Sequence, residues 1–268
     1  MPTPQLSVQL YSTRHALEQD EDGTLARLAA LGLRNVEVYG FVHRAQELAD
    51  ALARHGLSAR TGHATLLSPE HGDGTPVPSL EQTFEAARVL GLRTVYDPFV
   101  PAARWADGTE IARTAALLNA AAERAAVHGL TVGYHNHSQE FAHTVDGVNA
   151  FDHFADRLDP AVALEIDLYW ASASGNDPVA LLRRLGSRVR ALHVKDGAVI
   201  DDPFTSGEPF DAADTRQVAA GRGEIPLDAS LDAAPDAEFA VLEFDHYDGD
   251  IFEGIGAGVA YLNGKGIV

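Results

Sequence analysis

The chain of 268 residues contains no cysteine. That removes disulfides, thiolate zinc sites and cysteine nucleophiles, so any metal has to be held by imidazole and carboxylate. Positive charge is also scarce: 20 Lys and Arg stand against 39 Asp and Glu, for a formal net charge of -19. Nucleic-acid backbones and anionic membrane surfaces both reward clustered cations, so neither is expected as a partner, and a small uncharged molecule fits better. No apolar run approaches a membrane span, and Met1-Pro2-Thr3-Pro4 is not a cationic, hydrophobic signal; a cytoplasmic protein is expected. Neither a G-x-G-x-x-G after the first strand nor a G-x-x-x-x-G-K-[ST] occurs, which counts against a doubly wound, nucleotide-binding sheet.

What the chain does have is a regular alternation of helix and strand signals. Gly32-Leu33, Gly56-Leu57, Gly91-Leu92 and Gly129-Leu130 each end a helix-like stretch, because glycine tolerates the left-handed backbone just past a helix end, and each precedes a β-type run. Ser79 with Gln82 has the spacing of a capping box, and Asp177-Pro178 sets a cap and an N1 proline. Strands are expected at residues 5–11, 35–39, 58–63, 93–98, 131–137, 162–168, 189–195 and 239–245. Alternating elements imply a parallel sheet, and eight strands close a barrel of about 250 residues, so the expectation is one (β/α)8 domain over residues 1–268. Gly254, Gly256 and Gly258 fall in the last helix. Two segments, residues 64–79 and 197–226, are long and lack helical periodicity, which suits lids at the barrel rim.

Chemistry-bearing residues gather near the C-terminal ends of the later strands: His135 and His137, Glu165 and Asp167, His193 and Lys195, Glu243 and Asp245. Such barrels build active sites at that face. Side chains two apart in a strand share a face, so Asp167, His193 and Glu243 can converge with His135 or His137 from a fourth strand. Two imidazoles and two carboxylates suit one divalent ion, Mn, Co, Zn or Fe, with Mg accepted by oxygen-rich variants. Most of the 12 histidines need a blander account; His15, His43, His55, His71 and His128 sit in helix or loop positions and are assigned to packing or solvent.

Gln9-Leu10-Tyr11-Ser12, Tyr134-His135-Asn136-His137, Glu165-Ile166-Asp167-Leu168-Tyr169-Trp170, Leu192-His193-Val194-Lys195-Asp196-Gly197 and Gly221-Arg222-Gly223-Glu224-Ile225 together resemble the sugar phosphate isomerase/epimerase family, the xylose isomerase-like TIM-barrel group. The resemblance spans nearly the whole chain. It implies one divalent ion held by Glu, Asp, His and Glu on the last four strands. Carried over, Asp167, His193 and Glu243 fill the last three positions, while the first departs from the pattern: His135, or by reach His137, stands where many relatives have glutamate. Relatives that epimerise use two metal-bound glutamates on opposite faces of the sugar, so the departure bears on mechanism.

The implied activity is isomerisation or epimerisation of a sugar or polyol through an enediolate, since a metal on a carbonyl acidifies the adjacent C–H. The alternatives are a dehydratase or lyase acting on a keto-inositol or 3-keto-sugar, and a sugar-binding barrel without turnover. Glu243 is the expected base, with His63, His137 and Lys195 as proton partners or oxygen contacts; Lys195 could equally pair with Asp196 or Glu165. Arg14, Glu37, Asp97, Trp105 and Arg222 are candidate substrate contacts. Tyr11 and Trp170 could stack on a sugar. A phosphate handle through Arg14, Lys195 or Arg222 is not favoured. A homo-oligomer is compatible with the sequence.

Overall fold

All eight β-type runs form strands in the computed structural model, which describes residues 3–206 and 210–268. Met1-Pro2, part of the segment judged above to lack signal character, and residues 207–209 of the second long loop lie outside the described residues. The barrel strands, first to eighth, are Gln5–Val8, Asn35–Tyr39, Ser58–His63, Thr94–Asp97, Thr131–His135, Ala163–Asp167, Val189–Val194 and Phe239–Leu242. They pair in parallel in the order first, eighth, seventh, sixth, fifth, fourth, third, second. A parallel bridge between Gln9 and Glu37 brings the first strand to the second and completes the ring.

A helix follows each strand: Glu21–Ala30, Ala45–Arg54, Leu80–Leu90, Gly108–Val127, Ala150–Ala155, Pro178–Leu185, Leu227–Ala233 and Ile251–Asn263. Four of them start at an aspartate whose side chain accepts orphan backbone N–H groups, Asp20, Asp107, Asp177 and Asp250. Each such cap stabilises its helix by about 1 kcal/mol and also complements the positive end of the helix dipole. Part of the acidic excess is therefore structural. Ser79 and Gln82 form the expected capping box, and Gly91, with φ 79°, closes that helix in the left-handed region. In Ala45–Arg54 the buried Ala45, Leu48, Ala51 and Leu52 recur at helical spacing and face the sheet.

The strands sort their residues by parity. Leu164, Ile166, Leu192, Val194, Ala240 and Leu242 point outward and pack under the helices. Odd-numbered neighbours point into the barrel, where they form three tiers. The lowest contains Ala163, Ala191, Phe239, Val241 and Tyr96. Gly133 is needed there: a Cβ on it would stand 2.5 Å from both the Tyr96 ring and the carbonyl oxygen of Ala163. The upper two tiers are ionisable, and Glu165 pairs in register with His135 while Asp167 pairs with His193.

No helix among the described residues is long and apolar enough to cross a membrane. The sequence runs overestimate the first, fifth and eighth strands by two to three residues at the C-terminal end, where ladder bonds give way to side-chain and loop contacts at the rim.

Candidate metal centre

The middle tier holds Glu37, His63, His135, Glu165 and His193, and all five are buried. One carboxylate oxygen, Glu165 Oε2, lies 2.7 Å from His63 Nε2, 3.1 Å from His135 Nδ1 and 3.1 Å from His193 Nε2. Glu37 Oε1 lies 2.7 Å from His193 Nε2 and 3.1 Å from His63 Nε2, and it also accepts the Gln9 amide at 2.9 Å. Burial opposes a charge on His63, but Glu37 and Glu165 outweigh it and raise its pKa to about 10. Burial likewise opposes charge on His193, and Glu165, Glu243 and Glu37 together hold its pKa well above the usual imidazole value. Both rings are thus drawn toward the charged form by the carboxylates beside them.

Above it stand Asp167, Lys195, Glu243 and Asp245. Lys195 Nζ is 2.7 Å from Glu243 Oε2, 3.0 Å from Asp167 Oδ2 and 3.0 Å from Asp245 Oδ2. These three carboxylates, rather than Asp196 or Glu165, are its partners. Asp196 is the next residue along the strand and points the opposite way, where its carboxylate accepts the backbone N–H groups of Gly197, Gly221, Gly223 and Ile225. Burial works against the Lys195 charge, yet Asp167, Asp245 and Glu243 keep its pKa well above the ordinary lysine value. Glu243 is correspondingly held below the usual carboxylate range, with Lys195 and His193 overcoming burial. Burial pushes Asp167 up to about 6 against the opposing pull of Lys195.

Between the tiers, His135, Asp167, His193 and Glu243 place one nitrogen or oxygen each within 4.8 Å of all the others. This donor set fits a borderline divalent cation. The two imidazoles are already aimed: His135 turns Nδ1 down to Glu165 and Nε2 up toward Asp167 Oδ2 at 4.0 Å, while His193 turns Nε2 down and Nδ1 toward Glu243 Oε2 at 2.7 Å. Asp167 Oδ2 faces the Lys195 ammonium at 3.0 Å without an aligned hydrogen bond, which leaves it a lone pair for an ion. Asp167 Oδ1 is fixed by the Trp170 N–H at 2.9 Å, and the Asp167 N–H by Asn136 Oδ1 at 3.0 Å. A second quartet, His63, His135, Glu165 and His193, has comparable spacing. It lies on the floor and shares two imidazoles with the first.

The centre opens into a cavity of about 790 Å³ lined by His135, His137 and Glu243 below and by Tyr11, Tyr39, Phe99, Trp170, Phe204 and Phe210 around it. Both long loops reach it, the first through residues such as Thr65, His71 and Val77, the second through Phe204 and Phe210. His137 sits among Phe99, Trp170 and Phe204, with ring centroids 5.5, 5.9 and 5.2 Å away. Burial, then Lys195, lowers its pKa to about 3, so the ring is neutral at neutral pH, and its Nδ1 has no partner.

Several expected contacts lie elsewhere. Trp105 is fully buried in the core against Tyr134 and Phe154, its indole N–H donated to the Val100 carbonyl. Glu37 is sealed on the barrel floor rather than exposed to a substrate. Arg222 is exposed away from the cavity, and Arg14 is committed to the carbonyls of Tyr11 and Asp245. Asp97 ties down the first long loop by accepting the N–H groups of Leu66, Leu67 and Phe99. Conversely, His43 and His71, assigned to packing or solvent from their loop positions, line the cavity. Sequence reasoning also passed over Asn136 and over Glu140, which accepts the Tyr134 hydroxyl and the His137 N–H.

The fold has several solved counterparts. A sugar phosphate isomerase/epimerase from Parabacteroides distasonis superposes with TM-score 0.78 at 20% identity, covering 98% of this chain and 96% of that one. The probable 3-DHS dehydratase AsbF of Bacillus anthracis gives 0.72 at 15% identity over 97% and 98% of the two chains. An IolI protein with a bound zinc atom gives 0.70 at 17% identity over 97% of each. A sequence profile of the xylose isomerase-like TIM barrel matches residues 25–263, nearly the full length of the barrel. The chain belongs to the xylose isomerase-like TIM barrel family.

Proposed function

We propose that this protein is a metal-dependent enzyme that isomerises or epimerises a sugar or related polyol by removing a proton next to a carbonyl. One observation carries the reading: two imidazole nitrogens and two carboxylate oxygens converge from four successive strand ends at the foot of a cavity of substrate size. His135, Asp167, His193 and Glu243 would hold the ion. Once bound there, a divalent cation supplies the positive charge that acidifies the C–H beside a carbonyl.

The chain's own residues divide the remaining work. Glu243 is ionised and faces the cavity, so it can take the proton, but its lowered pKa makes it a weak base. Acidification of the substrate therefore has to do most of the work, and that is the physical reason the reaction needs the metal. Lys195, 2.7 Å from Glu243 Oε2 and 3.0 Å from both Asp167 and Asp245, holds these carboxylates in place beneath the cavity. His137, neutral and with Nδ1 unpartnered, can receive or return a proton on the other side. His63, held toward its cationic form, supports Glu37 and Glu165 and also reaches the cavity lining beside His135.

A second reading, elimination by a dehydratase or lyase on a keto-sugar, gains support from the first ligand position. With His135 there, the centre has Glu243 as its one glutamate, so symmetric proton transfer between two carboxylates on opposite faces is lost. The fold-level likeness to a dehydratase is compatible with this. The test is carbon-bound hydrogen exchange in deuterium oxide across a panel of keto-sugars, with metal-loaded and chelator-treated protein. Recovery of a deuterated isomer supports the first reading, and accumulation of a water-depleted or aglycone-free product supports the second. Turnover that survives complete metal removal defeats both. Glu243→Gln should suppress exchange, with its metal content measured in parallel.

A further inference from the structure

The metal centre accounts for the floor of the cavity but not for its upper wall. Tyr11 and Phe99, each 40% exposed, and Phe210, 36% exposed, are the exposed large aromatic side chains among the described residues, and all three line this cavity. Trp170, Phe204 and Phe210 form a triangle with centroid separations of 5.1, 5.2 and 5.7 Å, and Phe99 adds an edge contact to Phe204 at 5.9 Å. Exposed apolar surface of this kind, gathered at one mouth, marks a binding site rather than chance. Pro76, Val77, Pro78 and Pro98 continue the wall. At about 790 Å³ the cavity falls within the range of roughly 300–1,000 Å³ that holds drug-sized ligands, so a lone sugar would leave much of it unfilled.

Charge narrows the occupant further. No Arg or Lys lines the cavity among the described residues, and Lys195 below it is committed to three carboxylates. A phosphate would find no cation to replace its hydration. A second sugar ring would bring several hydroxyls against this apolar wall, and each left without a partner costs about 1–3 kcal/mol.

We propose that the cavity takes an uncharged keto-sugar carrying an apolar ring, such as an aryl glycoside with a ketone on its sugar ring, with the sugar over the metal centre and the ring among Phe99, Trp170, Phe204 and Phe210. This rests on the sugar reading of the floor and adds what fills the remainder. Burying one face of a phenyl group among four aromatic side chains, with its offset or edge contacts, is expected to tighten binding about tenfold or more relative to a methyl group.

The experiment is calorimetric titration of the manganese-loaded protein with methyl β-glucoside, phenyl β-glucoside, cellobiose and glucose 6-phosphate. Phenyl glucoside should bind about tenfold or more tightly than each of the others. Phe99→Ala and Phe210→Ala, both at exposed positions that leave the core intact, should each weaken phenyl glucoside severalfold and shift methyl glucoside by less. Equal affinity for the phenyl and methyl glucosides, or a preference for cellobiose or for the phosphate, overturns the aryl assignment while leaving the sugar reading standing. Failure of all four to bind overturns the aryl assignment, while the sugar reading is decided by deuterium exchange on the keto-sugar panel.

Discussion

Glu165 never reaches the cavity, yet it is the residue whose replacement says most about how the centre is built. Its Oε2 takes the lower nitrogens of His135 and His193, both at 3.1 Å, and His63 Nε2 at 2.7 Å. Because those nitrogens face a carboxylate they carry protons, which leaves the opposite nitrogen of each ring to point at Asp167 and Glu243. An outer carboxylate that fixes ring and tautomer in this way also makes the imidazole a better donor to metal. Glu165→Gln keeps the shape and removes the charge.

A hydrogen bond to a charged group contributes about 1.5–3 kcal/mol and a neutral one about 0.5–1.5, so two ligating rings each lose roughly 1 kcal/mol. The sum, about 2 kcal/mol, corresponds to roughly 30-fold weaker metal binding, inside the 10–100-fold range known for outer-sphere partners. Competition against a chromophoric chelator, with Mn and with Zn at fixed pH, measures it, and circular dichroism verifies the fold. Glu37→Gln, which touches His193 but not His135, should cost less, and Asp167→Asn more. Unchanged affinity in Glu165→Gln would refute the reasoning. So would complete loss of binding in the variant together with anomalous density between His63 and Glu165 in the parent protein, because the ion would then occupy the lower quartet.

Two further outcomes follow from side chains outside the centre. Trp105→Ala should cost about 3–5 kcal/mol of stability by denaturant titration while leaving sugar affinity in place, as for any large side chain removed from a core; weakened sugar binding at full stability would return Trp105 to the site. Burial raises the Glu140 pKa to about 8, above its ordinary 4.5, so its contribution to stability is present below pH 4.5 and is lost as pH rises through 8. Glu140→Gln cannot lose that proton, and its stability relative to the parent should grow by roughly 1.4 kcal/mol per pH unit between about pH 5 and 8; a level difference across that interval would contradict the burial argument.

The strands were legible because their signals are local: period-two apolar runs, and glycines whose left-handed backbone stops the preceding helix, as at Gly32, Gly56, Gly91 and Gly129. That Asp167, His193 and Glu243 come together was legible because strand ends in a barrel converge, whatever lies between them. Depth was not. Glu165 and Asp167 share a face, but which of them meets the cavity depends on the stagger between strands, including the irregularity between Leu164 and Glu165. That is a non-local property. The Lys195 partners, by contrast, could have been narrowed from the sequence, since Asp196 is its neighbour in an extended run and had to face away. Trp105, His43 and His71 carry no periodic signal, being in a short 3-10 turn and in loops, so their burial or exposure appears only when the loops are placed.

The histidine in the first ligand position also changes the charge of the centre, and this ties the metal site to the wall above it. In the pattern of Glu, Asp, His and Glu three carboxylates surround a divalent ion, for a net charge of -1; here Asp167 and Glu243 are the anionic donors, and with a divalent ion the four-residue set sums to zero. Lys195 and Asp245 form a neutral pair beside it. On the floor below, the cationic His63 offsets one of the two glutamates, Glu37 and Glu165, while His193, as a ligand, is neutral and already counted in the centre. With no net positive charge beneath the aromatic wall there is little Coulombic attraction to an anionic substrate, so discrimination has to come from shape, stacking and the ion's affinity for adjacent oxygens. Restoring the carboxylate by His135→Glu tests this directly. The added charge should strengthen metal binding, but the shorter-range contact of its second oxygen with Glu165 brings two carboxylates together, so the gain is expected only below the pH at which both ionise. A variant that binds metal more tightly at every pH would show that Glu165 does not sit where a first-position carboxylate must go.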